Sequence, residues 1–273
     1  MNILPIQPYC EIKGIGAASG LVYWEDSLYI ISDNSTYLYR YELANQHLST
    51  IKLYDDSAAG LSKKEKSDFE SITLFDHKLY IVGSGSTPNR TKRVSYALGN
   101  KKIVEKDLSK IYKRLRKSIG LHEDELNIEG IIMNDVSYSF FQRGNGKGGM
   151  NGVFDYNRND KKSVFTPISL PAIQGVEATF TDAVLVGDTV YFLAACEDSK
   201  STYEDGALLG SFIGCMNWPE KKVLFTQLIT EQHKLEGLTV FEATANRLTF
   251  ILCEDNDTEI LESILYKLEI INP

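Results

Sequence analysis

The chain has 273 residues, a mass of 30.7 kDa and a formal net charge of −8. A hydrophobic fraction of 43 % and an aromatic fraction of 11 % are enough to bury a full core, which excludes disorder as the main state. No apolar run reaches the ~20 residues of a membrane span, and the acidic balance argues against nucleic acid as a partner.

The first residues, Met1 to Pro8, carry no basic segment followed by a long apolar one, so no signal peptide is expected. Cys10, Cys196, Cys215 and Cys253 form no CxxC pair. Reduced thiols and a cytoplasmic location are the expectation. From there the chain reads as short runs of Tyr, Phe, Val and Ile bounded by turn residues, the signature of strands. The first group covers residues 28–32, 37–43 and 48–53. A short helical turn is expected at 61–67. A second group follows at 79–82 and 93–98. Residues 107–120 interrupt the strands with one helix. Leu108, Ile111, Leu115 and Ile119 fall at helical spacing, with Asp107 as N-cap and Gly120 as the stop. Strand groups resume at 137–142, 152–156 and 163–170, then at 190–194, 208–215 and 222–228, and finally at 248–253 and 263–270.

Each group is preceded by a similar tetrad. These are Ala18-Ser19-Gly20-Leu21, Phe69-Glu70-Ser71-Ile72, Ile128-Glu129-Gly130-Ile131, Val176-Glu177-Ala178-Thr179 and Leu235-Glu236-Gly237-Leu238. In the fourth unit Phe180-Thr181-Asp182-Ala183 is an alternative frame, which would turn Thr181 or Asp182 to the channel and leave Glu177 in the loop above. Five units of about four antiparallel strands predict an all-β fold, a five-bladed β-propeller with one inserted helix, spanning 1–273 as a single domain. The fifth unit shows no fourth strand after 263–270, and residues 2–15 are expected to supply it, closing the ring.

The innermost strand of a propeller blade lines the central channel, so the tetrads place Ser19, Glu70, Glu129, Glu177 (or Thr181) and Glu236 around one axis. Carboxylates so close repel one another and stay ionised only beside positive charge. A hard cation with oxygen ligands, Ca²⁺ above all, suits such a ring. The alternative is that these Glu residues bond backbone amides of neighbouring blades. The hairpins return to the same mouth at Asp33, Ser84, Arg143, Glu197-Asp198 and Glu254-Asp255. Arg143 is the one cation among these ends and suits an anionic substrate group. The run Gly144 to Gly152 lacks the Ser or Thr and the helix of a phosphate loop and reads as a hairpin connection. Lys110, Lys113, Arg114, Arg116 and Lys117 give the helix a basic face, either plain solvated surface or a dock for an acidic partner.

Asn127-Ile128-Glu129-Gly130 followed by Arg143-Gly144 resembles the N-x-E-G … R-G signature of uncharacterised bacterial propellers related to the phytase-like, or esterase-like, group. Asp68-Phe69-Glu70-Ser71 and the run Gly83 to Arg90 are similar to the same group. Separately, the order Ser19, Glu70, Glu129, Thr181, Glu236 resembles the calcium-activated nucleotidases, or apyrases. That resemblance implies a five-bladed propeller with a central Ca²⁺ held by blade-start Ser and Glu, and hydrolysis of nucleoside di- and triphosphates. The expected function is a calcium-dependent hydrolase of phosphate esters or anhydrides, taking a small anionic molecule. Arg143 would stabilise phosphoryl charge, and Glu197, Asp198 or Glu254 would act as general base. The alternative is a non-enzymatic propeller with a structural calcium that binds a ligand or protein partner.

Overall fold

A computed structural model describes residues 2–199, 206–255 and 260–272. Five antiparallel sheets follow one another along the chain, each starting at its innermost strand. The first blade runs Ala18–Trp24, Ser27–Ser32, Tyr37–Glu42 and His47–Lys52. The second runs Phe69–Phe75, Lys78–Gly83, Lys92–Ala97 and Ile103–Asp107. The third runs Ile128–Met133, Ser137–Gln142, Gly152–Asn157 and Ser163–Pro167. The fourth runs Thr179–Val186, Thr189–Asp198, Ala207–Asn217 and Lys222–Thr230. The fifth runs Leu235–Ala243, Arg247–Glu254 and Glu262–Ile271.

Innermost strands of successive blades pack side by side, and that of the fifth meets that of the first, so the ring is closed. The fifth blade takes its outer strand from the N-terminus, as the missing fourth strand implied. Gln7–Lys13 pairs antiparallel with Glu262–Ile271, and Asn2–Ile3 extends the same edge. That strand also buries Ile12 between the last and first blades, beside Leu21, Ile30 and Leu265. The core is a set of wedges between neighbouring sheets. Val22, Ile31 and Leu38 of the first blade, for instance, meet Phe69, Ile72 and Ile81 of the second. Strands such as Ser27–Ser32 and Ile128–Met133 are buried at every position, because both faces of a blade press against a neighbour.

The helix spans Ser109–Ile119. Its N-cap position is Leu108, one residue later than expected, because the Asp107 carboxylate accepts the Ser109 N–H (2.8 Å) and the Ser109 hydroxyl (2.8 Å). Gly120, at φ 71°, ends it in the left-handed conformation. Ile111, Tyr112 and Leu115 are buried against the third blade's Phe140 and Phe154, and the Tyr112 hydroxyl donates to the Gly83 carbonyl (2.7 Å). Gly85 makes that docking possible. It has φ +78°, and a β-carbon there would lie 2.6 Å from the Tyr112 ring. The helical turn expected at 61–67 is shorter, a single turn in which Ser62 O accepts the N–H groups of Glu65 and Lys66. All four cysteines are free thiols. No helix among the described residues is long and apolar enough to cross a membrane.

Deleting residues 2–13 strips the paired edge from the fifth blade and should cause association, read as a rise in light scattering with concentration. A truncated protein that stays monomeric with an unchanged melting point would show that closure does not need this strand. Gly85→Ala adds left-handed strain and a clash with Tyr112, and should lower the unfolding free energy by more than ~1 kcal/mol in a urea titration.

Candidate functional site at one mouth of the channel

At the head of every innermost strand the pairing with its neighbour skips one residue. The shifts lie between Ala18 and Gly20, Phe69 and Ser71, Ile128 and Gly130, Phe180 and Asp182, and Leu235 and Gly237. The skipped residues are Ser19, Glu70, Glu129, Thr181 and Glu236. A β-bulge leaves its extra residue out of the ladder and re-aims its side chain, here at the same place in five blades. The fourth blade therefore takes the frame of Thr181. Glu177 lies outside it, in a two-stranded ribbon of Ala172–Ile173 and Val176–Glu177, where its exposed carboxylate accepts the Leu170 N–H (3.0 Å).

The two hydroxyl positions bolt blades together. Ser19 donates to the Phe69 carbonyl (2.5 Å) and Thr181 to the Leu235 carbonyl (2.7 Å), each just ahead of the next blade's own bulge. Asp182 reinforces the second joint by accepting the Leu238 N–H (2.8 Å). Burial pushes its carboxyl well up from the ordinary range. The three glutamates form no such bolt and face other side chains.

Those side chains divide the expected single ring into two groups. In the first, Arg143 is buried among three carboxylates: Glu197 (2.7 Å), Glu129 (3.3 Å) and Glu236 (3.6 Å). Lys234 adds contacts to Glu236 (3.1 Å) and Glu197 (3.6 Å). Burial works to lower the Arg143 and Lys234 pKa values, and the surrounding carboxylates overcome it and hold both above their ordinary values. In the second group Lys66 pairs with Asp33 and with Asp68 (2.7 Å), and Asp68 also accepts from Arg90 (2.9 Å) and Ser84. Glu70 stands beside them. Among the described residues its carboxylate accepts no hydrogen bond, and burial together with the nearby charges of Asp68, Glu129 and Asp33 pushes its pKa well up.

Arg143, Lys234 and Lys66 place positive charge from within the chain beside these carboxylates. Arg143 has carboxylate partners from within the chain. Glu197 is spoken for by Arg143, Lys234 and the Gly206 N–H (2.8 Å). Glu254 accepts from the Tyr266 hydroxyl (3.0 Å) and meets His233 Nδ1 (2.7 Å), within its own corner of the fifth blade. Asp198 is exposed at the end of its strand. One group keeps the chemistry of a hard-cation site. Carboxylate oxygens of Asp33, Asp68 and Glu70 lie within 4.8 Å of one another, an all-oxygen set that fits Ca²⁺ once the Lys66 ammonium moves aside.

Lys66, Asp68, Arg90 and Lys234 were not among the expected site residues. Three bulge glutamates each have a polar residue two positions earlier: Asp68 before Glu70, Asn127 before Glu129 and Lys234 before Glu236. The two-residue period of a strand returns such pairs to one side, and that spacing was the available signal. Asn127 uses it directly, donating its amide N–H to Glu129 Oε1 (2.7 Å). Burial raises the Glu129 pKa from 4.5 to about 7, against the pull of Arg143.

Removing Arg143 leaves three buried carboxylates short of a counter-charge. Arg143→Ala should cost ~3–5 kcal/mol at pH 8 by urea unfolding and distinctly less at pH 5, where Glu129 is protonated. Glu129 has its own pH signature. Its folded pKa of about 7 lies above the unfolded value, so the native state binds the proton more tightly between pH 4.5 and 7. Its contribution to stability is full below pH 4.5 and is lost as pH rises through 7. Glu129→Gln should flatten that part of the stability profile, and an unchanged profile would remove Glu129 as its source.

Similarity to solved structures extends over nearly the whole chain at very low identity. Glutaminyl cyclase of Myxococcus xanthus superposes with a TM-score of 0.56 at 9 % identity, covering 97 % of each chain. The allergen Mala s 1 of Malassezia sympodialis gives 0.59 at 10 %, covering 94 % of this chain and 95 % of that one. A luciferin-regenerating enzyme gives 0.50 at 10 %, covering 96 % and 94 %. At these identities the likeness carries the propeller fold alone, and it shows no relationship to phytase-like propellers or apyrases. No curated protein matches the chain. A family model does, over residues 14–270, and by that match the chain belongs to a family of unknown function, DUF6929.

Proposed function

We propose that this mouth of the channel is the active centre of a hydrolase, with Glu129 as its proton-transferring group and a calcium ion at Asp33, Asp68 and Glu70. The observation that carries the reading is the state of Glu129. It is a channel-side carboxyl raised to about 7, where a general base or acid works best near neutral pH. Its orientation is set from both sides, since Asn127 (2.7 Å) and Arg143 (3.3 Å) both contact Oε1. That leaves Oε2 to take or give the proton. Arg143 acts as a positioning residue, bracing Glu129 against Glu197, and this replaces its expected role as the anion receptor. Glu129 takes the base role expected of Glu197, Asp198 or Glu254: Glu197 is engaged by Arg143 and the Gly206 N–H, Glu254 by Tyr266 and His233, and Asp198 is exposed at its strand end. A bound Ca²⁺ would polarise a phosphoryl or acyl oxygen. Phosphate esters and anhydrides remain the substrate class to test first, with the small anion meeting the cation. Two of the similar folds carry enzyme names, so the architecture accommodates catalysis, although fold alone assigns none.

A second reading rests on one observation: Arg143 and Lys234 between them reach Glu129, Glu197 and Glu236, and offset the three charges in full once Glu129 carries its proton. On that reading the mouth is a structural ion-pair plug in a non-enzymatic binding propeller. One set of experiments separates the two. Ca²⁺ should raise the melting temperature, Glu70→Gln should abolish the rise and Lys66→Ala should enlarge it. A panel of phosphate ester, nucleotide and carboxyl ester substrates should show turnover that Glu129→Gln lowers by ~10²–10⁴-fold, removing a pH limb near 7. A Ca²⁺-insensitive melting point in wild type and Lys66→Ala, with no turnover on the panel, would leave the ion-pair plug.

A further inference from the structure

A cavity of about 580 Å³ lies outside the channel, where the helix Ser109–Ile119 leans on the second blade. One wall is the loop from Gly85 to Pro88. The other is the helix face that carries Lys110, Lys113 and Arg116. Its size falls within the ~300–1,000 Å³ of small-molecule sites. Its position follows from docking already described: Tyr112 and Gly85 fix the helix against the loop, and the space beside them stays open.

The charges are what mark it. Lys110, Lys113 and Arg116 repeat every three residues along one stripe, where like charges repel. Several surface lysines of this acidic chain have carboxylate partners, as in Lys92–Glu105 (2.6 Å), Lys78–Asp76 (2.7 Å) and Lys13–Glu262 (3.6 Å). Among the described residues none of the three helix cations has a carboxylate within ion-pair distance, yet all three line the same cavity. Their aliphatic stems and the Pro88 ring provide apolar surface for an organic body. At the lip stand Glu123 and Asp124, the latter already in contact with His122. Carboxylates there accept hydrogen bonds from hydroxyl or amino groups and disfavour a purely anionic guest.

We propose that this cleft binds a small phosphorylated molecule with a hydroxylated or amino-bearing body, a sugar phosphate or a nucleoside monophosphate. The phosphate meets Lys110, Lys113 and Arg116, and the body lies along Pro88 toward Glu123 and Asp124. The site is separate from the channel and does not depend on the channel's chemistry. The recognition is charge-assisted hydrogen bonding, with Arg116 able to grip two phosphate oxygens at once.

The test is isothermal titration of the full chain with AMP and with glucose 6-phosphate, beside adenosine and glucose as uncharged controls. Saturable binding of at least one phosphorylated probe is expected, with little for its control. Lys113→Gln/Arg116→Gln should weaken it at least tenfold without moving the melting temperature, because both side chains sit on the outer helix face. Lys101→Gln/Lys102→Gln, remote surface lysines, and Glu70→Gln, in the channel, should bind as wild type does. Absence of saturable binding, or equal binding by the cleft variant, would overturn the proposal. So would loss of binding in Glu70→Gln with retention in the cleft variant, which would move the ligand to the channel.

Discussion

Carboxylates brought to one axis by the fold itself are the constraint from which the rest follows. The blade-start bulges turn Glu70, Glu129 and Glu236 inward, and the hairpin ends add Asp33 and Glu197. Burying like charges together is unfavourable by several kcal/mol per ion unless each is paired. The chain meets this with cations drawn from different blades and loops. Arg143 comes from the third blade's hairpin end, Lys234 from the link into the fifth blade and Lys66 from the loop before the second. Because each reaches carboxylates of another blade or connection, the ion pairs also fix the blades' relative rotation. Charge neutralisation and ring geometry are thus one requirement.

The two bulges without a carboxylate show the same logic in neutral form. Ser19 and Thr181 donate their hydroxyls to the carbonyls of Phe69 and Leu235, the residues just ahead of the next blade's bulge. A glutamate at either position would add charge to a mouth already short of cations. A serine or threonine at position 129 or 236 would remove a partner from Arg143 or Lys234. The order Ser, Glu, Glu, Thr, Glu around the ring therefore balances joints against charges.

Much of this was legible in the residues. The tetrads showed the five units because a bulge at a fixed place needs a small residue beside it, and Gly20, Ser71, Gly130 and Gly237 supply one. The fourth unit misled because the ribbon ahead of its blade carries Val176-Glu177-Ala178, a copy of the pattern one turn too early. Only the pairing of Phe180 and Asp182 with the next strand distinguishes the two frames. The inward cations were harder to see. Lys66 and Lys234 lie in connections, where a lysine ordinarily points to solvent, and nothing in their immediate neighbours shows that the connection folds over the channel. Arg143 was found by position, but its contacts with Glu129, Glu197 and Glu236 were not foreseen. A lone cation among acidic ends suits a bound anion or a bound carboxylate equally well, and the length of the chain between Arg143 and Glu197 hides that they touch.

The asymmetry of the mouth is the feature that folding does not require. Two residues before each bulge the five blades present Ala17, Asp68, Asn127, Thr179 and Lys234, five different chemistries at one geometric position. A ring held only by blade packing could repeat a single residue there. Instead the second and third blades hold the two strained carboxyls, Glu70, which accepts no hydrogen bond among the described residues, and Glu129, raised to about 7, while Glu197 and Glu236 of the fourth and fifth share Arg143 and Lys234. Such a separation costs stability, since moving one cation toward Glu70 would relieve it. Unrelieved strain of this kind, held in place by a rigid ring, is what a site that transfers protons or captures a cation needs. The bulges turn one residue of every blade toward this mouth, and the identities two residues upstream decide how each carboxyl in it is held.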